Sequence, residues 1–493
     1  MQGKQPNAHL LGVVYHTTLD YNLVSEPALS VTAALQIEDP PMTHDPVAAA
    51  LRDATDTREF VTGRGILADV DALFAKAFGD AAAVVVADEN TFAAAGHEVD
   101  AHLRRMGRSA AEPVVFPGQP TLAADFTNVL SLEGRLRAVD AMPVVVGSGT
   151  LNDLTKLAAH RVGRPYMVIG TAASMDGYTS FGAAITKDGF KQTMECPAPR
   201  AVLADLDVLM RAPDGMTASG YGDLLGKITA GADWILADAV GSEAIDPRAW
   251  PLVQDSLRAW TAHPDRLKAG DAEAMADLFE GLTLVGLAMQ ISRSSRPASG
   301  SEHRFSHLWE MQAAEHGHPP VPHGFKVGVG SIAAAALYER LFQRDLTRLD
   351  VDALVAAWPS RDELEAQVRQ AHAIPWLAEG AVKESLVKYI SPDQLRQRLT
   401  LIQGLWPTLK PRLEAQLMTA DDLARQLRAV GAPTTPVEVG VTRQQLRDSY
   451  LLARTIRSRY SVLDLVTETG LLDSLVDELF APEGYWAAAQ GWN

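Results

Sequence analysis

The chain has 493 residues, 61 Asp and Glu against 44 Lys and Arg, and a formal charge of −17 at pH 7. With 47% hydrophobic and 21% charged residues it excludes disordered, collagen-like and mucin-like classes, and its length predicts two or more domains. The negative charge speaks against nucleic acid or an anionic membrane face as main partner, so an anionic substrate needs a local positive site such as a helix N-terminus or a metal.

Met1–Pro41 lacks the basic and apolar regions of a signal peptide and carries Asp20, Glu26, Glu38 and Asp39. Residues 1–41 are expected to be a poorly ordered leader, or a misassigned start upstream of Met42. From about Arg58 to Ala212, short apolar runs alternate with helical patterns, which predicts a parallel sheet flanked by helices. The runs are Ala83–Ala87, Pro113–Phe116, Pro143–Val146, Tyr166–Ile169 and Ala201–Leu206. After Pro213 the periodicity is helical to the end.

Ser391-Pro392-Asp393, Thr442 with Gln445, and Ser461 with Asp464 read as helix N-caps, and Gly431 followed by Pro433 as a helix stop. The expected division is a leader over 1–41, an α/β part over 42–212 and an all-helical part over 213–493. No apolar run reaches the roughly 18–20 residues needed to span a bilayer, the longest lying near Gly281–Ile291 and Ile332–Tyr338. A lone cysteine, Cys196, excludes an intramolecular disulfide and fits a reducing, cytoplasmic compartment.

Met142–Val146 leads into Gly147-Ser148-Gly149-Thr150 and then the helical stretch Leu151–Lys156: strand, glycine turn, helix. Backbone N–H groups at such a helix start favour an anion, and a pyrophosphate is the natural guest. Asn152 breaks the full Gly-x-Gly-x-x-Gly fingerprint, and a plain tight turn explains the same residues. Asp88, ending an earlier run, is placed to accept from a ribose hydroxyl or is a turn residue in Asp88-Glu89-Asn90. Thr171–Ser180, small and hydroxyl-rich, is expected at the same carboxyl edge, with an ordinary surface loop as the alternative.

Five of the 13 histidines, His303, His307, His316, His318 and His323, fall within 21 residues. His303 and His307 are one helical turn apart, so they share a face that suits a divalent metal or an oxyanion; a solvent-facing pair is the other reading. Asp223, among the glycines of Gly220–Lys227, is by default a helix-capping carboxylate. Cys196 reads as a small buried or loop residue.

Taken in order, Gly147–Asp153, Thr171–Gly177, Gly222-Asp223, Ser299–His303 and His323-Gly324 resemble the sn-glycerol-1-phosphate dehydrogenases, a branch of the iron-containing alcohol dehydrogenase and dehydroquinate synthase-like superfamily. The resemblance runs from roughly Arg58 to Phe480. It implies a Rossmann-like dinucleotide-binding domain followed by an all-α metal-binding domain. It also implies an enzyme of phospholipid metabolism that interconverts dihydroxyacetone phosphate and sn-glycerol 1-phosphate with NAD(H) or NADP(H).

Carried over position by position, the resemblance implies cofactor contacts at Gly147, Ser148, Gly149, Thr150, Leu151, Asp153, Thr171, Ser174 and Ser180, and a substrate contact at Asp176. It makes Asp223, His303 and His323 the ligands of one divalent metal, with Asp223 also near the substrate and His307 touching it. Two imidazoles and a carboxylate leave open positions, as a catalytic metal requires; zinc suits them, and nickel, iron or manganese are accepted by the same donors.

Ser148 stands where the family usually has the middle glycine of Gly-Gly-Gly-Thr, which serine tolerates when φ is negative. No motif marks a substrate phosphate site, although Arg304 and Lys191 are basic residues near the relevant segments. The expected partners are a phosphorylated polyol or ketose and further copies of the chain, a dimer or larger, with neither nucleic acid nor membrane insertion. Three other readings stay open: another polyol or polyol-phosphate dehydrogenase, a carbocycle-forming lyase like dehydroquinate synthase, and a binding module that lost catalysis. Asp223 speaks against the lyase, whose relatives place Glu first, and the full ligand set speaks against loss.

Overall fold

The computed structural model describes residues 45–187, 190–315 and 321–487, so the expected leader, His316 and His318 lie outside the described residues. The strands are β1 (Glu59–Gly63), β2 (Ala83–Asp88), β3 (Val114–Phe116), β4 (Met142–Gly147), β5 (Met167–Gly170), β6 (Ala183–Lys187), β7 (Phe190–Met194) and β8 (Ala201–Asp205). Six of them form one parallel sheet in the order β1-β8-β5-β4-β2-β3, and β6 and β7 pair as a separate antiparallel hairpin.

The apolar runs map onto β2, β3, β4, β5 and β8 because both faces of these strands are covered. Val84, Val86, Val145, Val168 and Val202 enter one hydrophobic cluster, while Val85, Val144, Val146, Ile169 and Leu203 enter the other. Alternate side chains point to opposite faces, so a strand buried on both sides reads as a continuous apolar run. Each fully buried valine contributes roughly 1.5–3 kcal/mol.

β1 and the hairpin were not anticipated. β1 is a partly exposed edge strand of mixed composition, and its pairing with β8, Phe60 opposite Val202, supplies the order its own residues lack. From Asp45 onward the sheet and the helices form one compact unit.

Among the described residues no strand follows Asp205. The helices that matter most here are α1 (Gly149–Arg161), α2 (Asp214–Leu225), α3 (Lys227–Ala239), α4 (Ala272–Ser292), α5 (Ser301–Glu315) and α6 (His323–Leu341). Ser391 and Thr442 cap their helices through capping boxes with Gln394 and Gln445, and the Asp464 carboxylate accepts from the Ser461 N–H at 3.0 Å. Gly431 ends its helix at φ 86°, the left-handed conformation that glycine adopts without strain.

α4 is, with 21 residues, long and apolar enough to cross a membrane by length and composition, yet 83% of that window is buried inside the protein. Glu273, Asp277 and Glu280 interrupt its apolar residues near the start, so no uninterrupted apolar run reaches spanning length, and the rest is apolar because it is packed in the core.

Candidate active site

β2 and β4 are neighbours, and the connections that follow them lead away on opposite sides, to β3 and to β5. Such a reversal opens a crevice at the carboxyl ends of the strands. Asp88 and Gly147 end the two strands there. Ser148 has φ −108° and ψ −161°, extended backbone that serine adopts as readily as glycine. The first bond of α1 runs from the Asn152 N–H to the Ser148 carbonyl at 3.0 Å. The N–H groups of Gly149, Thr150 and Leu151 therefore precede the helical ladder, and Ser148 makes no side-chain cap to occupy them.

The Gly147 carbonyl accepts from the Thr171 N–H at 3.2 Å, which ties the turn to the loop that carries Thr171, Ser174 and Asp176. Asp88 is a capping residue: one oxygen accepts from the Thr91 N–H at 2.8 Å, and its second makes no hydrogen bond among the described residues. Asp153 and Ser180 are engaged inside the fold. Asp153 accepts from the Ala184 N–H at 3.2 Å and lies 3.6 Å from the Lys156 ammonium, while the Ser180 hydroxyl donates to the Gly177 carbonyl at 3.0 Å. Lys156, fully buried, donates to the carbonyls of Gly177, Ser180 and Gly182 and locks that loop to α1.

Asp223 sits near the end of α2 rather than at its start, so the capping reading is corrected. A Cβ on Gly222 would meet the Gly324 carbonyl at 2.5 Å, and one on Gly324 would meet the Ser219 carbonyl at 1.8 Å. Only glycines allow α2 and the start of α6 to touch backbone to backbone. That contact brings Asp223, His303 and His323 together, with one ligand atom from each within 4.8 Å of the others.

Both imidazoles are held from behind by carboxylates, Glu302 buried and Glu310 half-buried. His303 Nδ1 lies 2.9 Å from Glu302 Oε1, and His323 Nδ1 lies 2.8 Å from Glu310 Oε1. A proton on each Nδ1 leaves the Nε2 lone pair for a cation, the usual arrangement behind metal-binding histidines. Burial and the Lys227 ammonium push His303 down, but its hydrogen bonds with Asp223 and Glu302 outweigh them and lift it to about 9. Burial opposes ionisation of Asp223, and Lys227 with the two histidines overcomes it, so the carboxyl is held below its ordinary range.

Lys227, Glu302 and Glu310 were missed by sequence reasoning. Lys227 bridges Asp176 at 2.6 Å and Asp223 at 2.7 Å, and its spacing of four from Asp223 was the available signal. Glu310 forms a second close group with His307 and His323. Its oxygens are already neutralised by Lys191 at 2.7 Å and Lys326 at 3.3 Å, which makes it an orienting base.

His307 packs against both other rings, with centroids 5.8 Å from each, and burial followed by the Arg457 guanidinium holds it well below its ordinary value. Of the two basic residues noted in the sequence, Lys191 reaches this cluster. Arg304 is instead turned to Asp464 at 2.9 Å. Burial pushes the Cys196 thiol up to about 12, as an unreactive core residue requires.

Residues 61–213 match the family described as iron-containing alcohol dehydrogenase. The chain is 32% identical over 391 residues to a glycerol-1-phosphate dehydrogenase (NAD(P)+) of Bacillus subtilis, a match covering 79% of this chain and 86% of that one. It is 38% identical over 257 residues to the enzyme of the same name from Halalkalibacterium halodurans, covering 52% of this chain and 64% of that one, just under two thirds of its length. Its fold is similar to glycerol dehydrogenase of Schizosaccharomyces pombe, with a TM-score of 0.53 at 18% identity over 89% of this chain and 93% of that one. Maleylacetate reductase of Agrobacterium tumefaciens gives 0.55 at 17% identity over 86% and 97%.

Proposed function

Because the chain belongs to the glycerol-1-phosphate dehydrogenase family within the iron-containing alcohol dehydrogenases, we propose that it is a metal-dependent NAD(P)H oxidoreductase interconverting dihydroxyacetone phosphate and sn-glycerol 1-phosphate. The observation that carries this reading is the convergence of Asp223, His303 and His323 within 4.8 Å, beside the loop that borders the glycine turn. Two imidazoles with tethered Nδ1 atoms and one ionised carboxylate fit a divalent cation and leave positions open for substrate. Zinc is the cation we assign, and nickel or iron suits the same donors. Bound there, the cation supplies Lewis acidity to a carbonyl that gains negative charge as it accepts hydride.

The chain's own residues do the rest. The N–H groups of Gly149, Thr150 and Leu151 hold the pyrophosphate, Thr171 and Ser174 border the cofactor, and the second oxygen of Asp88 accepts from the ribose. Asp176, fixed by Lys227, presents a carboxylate to the substrate hydroxyls. His307, neutral in its buried position, hydrogen-bonds the reacting hydroxyl and exchanges a proton with it. Lys191 supplies positive charge for the substrate phosphate in a protein otherwise acidic. The α/β half before Pro213 thus carries the dinucleotide, and the helical half carries the metal and substrate.

The test is absorbance at the nicotinamide band when purified protein, NADH or NADPH, and dihydroxyacetone phosphate are mixed with and without chelator. Oxidation that chelator abolishes is the expected result. No oxidation with any ketose phosphate overturns the reading.

A further inference from the structure

A cavity of about 360 Å³ lies among the C-terminal helices, and none of Asp223, His303, His307 or His323 lines it. Small-molecule sites span roughly 300–1,000 Å³. Its wall carries three cations, Lys388, Arg398 and Arg454, against two carboxylates, Asp464 and Glu468.

The carboxylates are fully committed. Asp464 Oδ1 accepts from Lys388 at 2.6 Å, and Oδ2 accepts from Arg304 at 2.9 Å and from the Ser461 N–H at 3.0 Å. Glu468 Oε1 accepts from Arg398 at 2.6 Å and Oε2 from the Tyr460 hydroxyl at 2.7 Å. Neither carboxylate accepts a hydrogen bond from Arg454. Its guanidinium makes no hydrogen bond or close ion pair among the described residues; burial pulls it below its ordinary value, against the opposing charges of Asp464 and Glu468. Burial also brings Lys388 down to about 7, against the pull of Asp464.

A guanidinium that donates to no carboxylate, on a wall with three cations against two carboxylates, presents its fork to an anion entering the cavity. Phosphate oxygens match the planar fork of arginine in pairs, which a chloride ion does not. Ser458, on the same wall, offers a hydroxyl within the cavity. The volume exceeds that of a bare phosphate, leaving room for a short organic group beside it.

We propose that this cavity is a second ligand site, separate from the candidate active site, which takes a small phosphate-bearing anion on Arg454. The ligand is inorganic phosphate or a short phosphate monoester, and the two share the chemistry that Arg454 recognises.

Calorimetric titration of the metal-loaded protein with inorganic phosphate, and separately with glycerol 2-phosphate, tests this. Binding of either ligand is expected, and the tighter one identifies the source. Arg454→Met should weaken that binding at least about tenfold. Val387, also on the wall, is 70% exposed, so Val387→Glu leaves the fold intact while setting a negative charge in the wall; it should weaken binding several-fold even where Arg454→Met fails to fold. No binding of either ligand at millimolar concentration overturns the proposal. So does binding of unchanged strength in Val387→Glu and in a folded Arg454→Met, which would place the phosphate elsewhere.

Discussion

The backbone N–H of Asp176 donates to Asp223 Oδ2 at 3.0 Å across 47 residues of sequence. The loop leaving β5 on the sheet side is thereby bonded to the carboxylate that α2 brings from the helical side. Lys227 closes the junction by bridging both side chains. The loop that carries Asp176 and the carboxylate of Asp223 are one buried unit, and under the proposed function this favours alignment of a nicotinamide with the substrate.

Lys227→Met removes the ammonium that bridges two buried carboxylates at this junction. Breaking such a group costs roughly 3–5 kcal/mol. The loss should be larger in chelator-treated protein than in metal-loaded protein, because a cation on Asp223 restores part of the missing charge. Urea unfolding with and without chelator checks this, and equal losses would mean that the cation is not on Asp223.

His323→Ala should strip metal and turnover together, read by elemental analysis and the NADH assay. Glu310→Gln keeps the imidazole but loosens its orientation, with an expected fall of about 10–100-fold in metal affinity. Retention of full metal stoichiometry and turnover in His323→Ala would refute the ligand set.

Gly222→Ala forces a methyl against the Gly324 carbonyl, which a Cβ would approach to 2.5 Å. Overpacking of this kind costs about 1–3 kcal/mol. Metal affinity should fall with it as α2 and α6 separate. Gly404, whose Cβ would meet nothing within 4 Å in the helix Pro392–Gln416, is the control. Gly404→Ala should stabilise by roughly 0.5–1 kcal/mol and leave metal binding unchanged.

Asp88→Asn keeps the cap, since asparagine serves there as well as aspartate, and removes the negative charge that under the proposed function would face a 2′-phosphate. The ratio of kcat/KM for NADPH to that for NADH should rise several-fold with turnover retained. An unchanged ratio would remove Asp88 from the ribose site.

His372 gives the stability a pH dependence of its own. Its Nε2 meets the Thr455 hydroxyl at 2.7 Å, that hydroxyl donates to the Leu452 carbonyl at 2.7 Å, and Nδ1 has no partner. Burial holds the imidazole down to about 4, below the ordinary 6.5. The unfolded chain takes up this proton first, so the residue costs nothing above the ordinary value and destabilises as the pH falls toward 4. The penalty reaches roughly 3 kcal/mol by pH 4. His372→Gln should flatten the dependence across this window in denaturant titrations at pH 7 and 4.5; an equal slope would show that the imidazole stays accessible to protons.

What can be read in the chain without its structure is what neighbouring residues decide among themselves. The valine runs of β2 and β4, the caps at Ser391 and Thr442 and the stop at Gly431 depend on spacings of a few residues, so each was legible. The order of the glycine turn, Asp223, His303 and His323 was legible through the family resemblance, since Asp223 by itself reads as a helix cap.

Tertiary structure decided who meets whom. β1 is a strand because β8 lies beside it, and Asp153 turns inward because Lys156 and the Ala184 backbone are there. Glu310 becomes a support for the His323 imidazole only once α5 and α6 are packed together, and Lys227 a bridge only once the Asp176 loop lies against α3. A carboxylate's role depends on the charges and donors within a few ångströms of it. Those distances are set by long-range packing that no local spacing encodes.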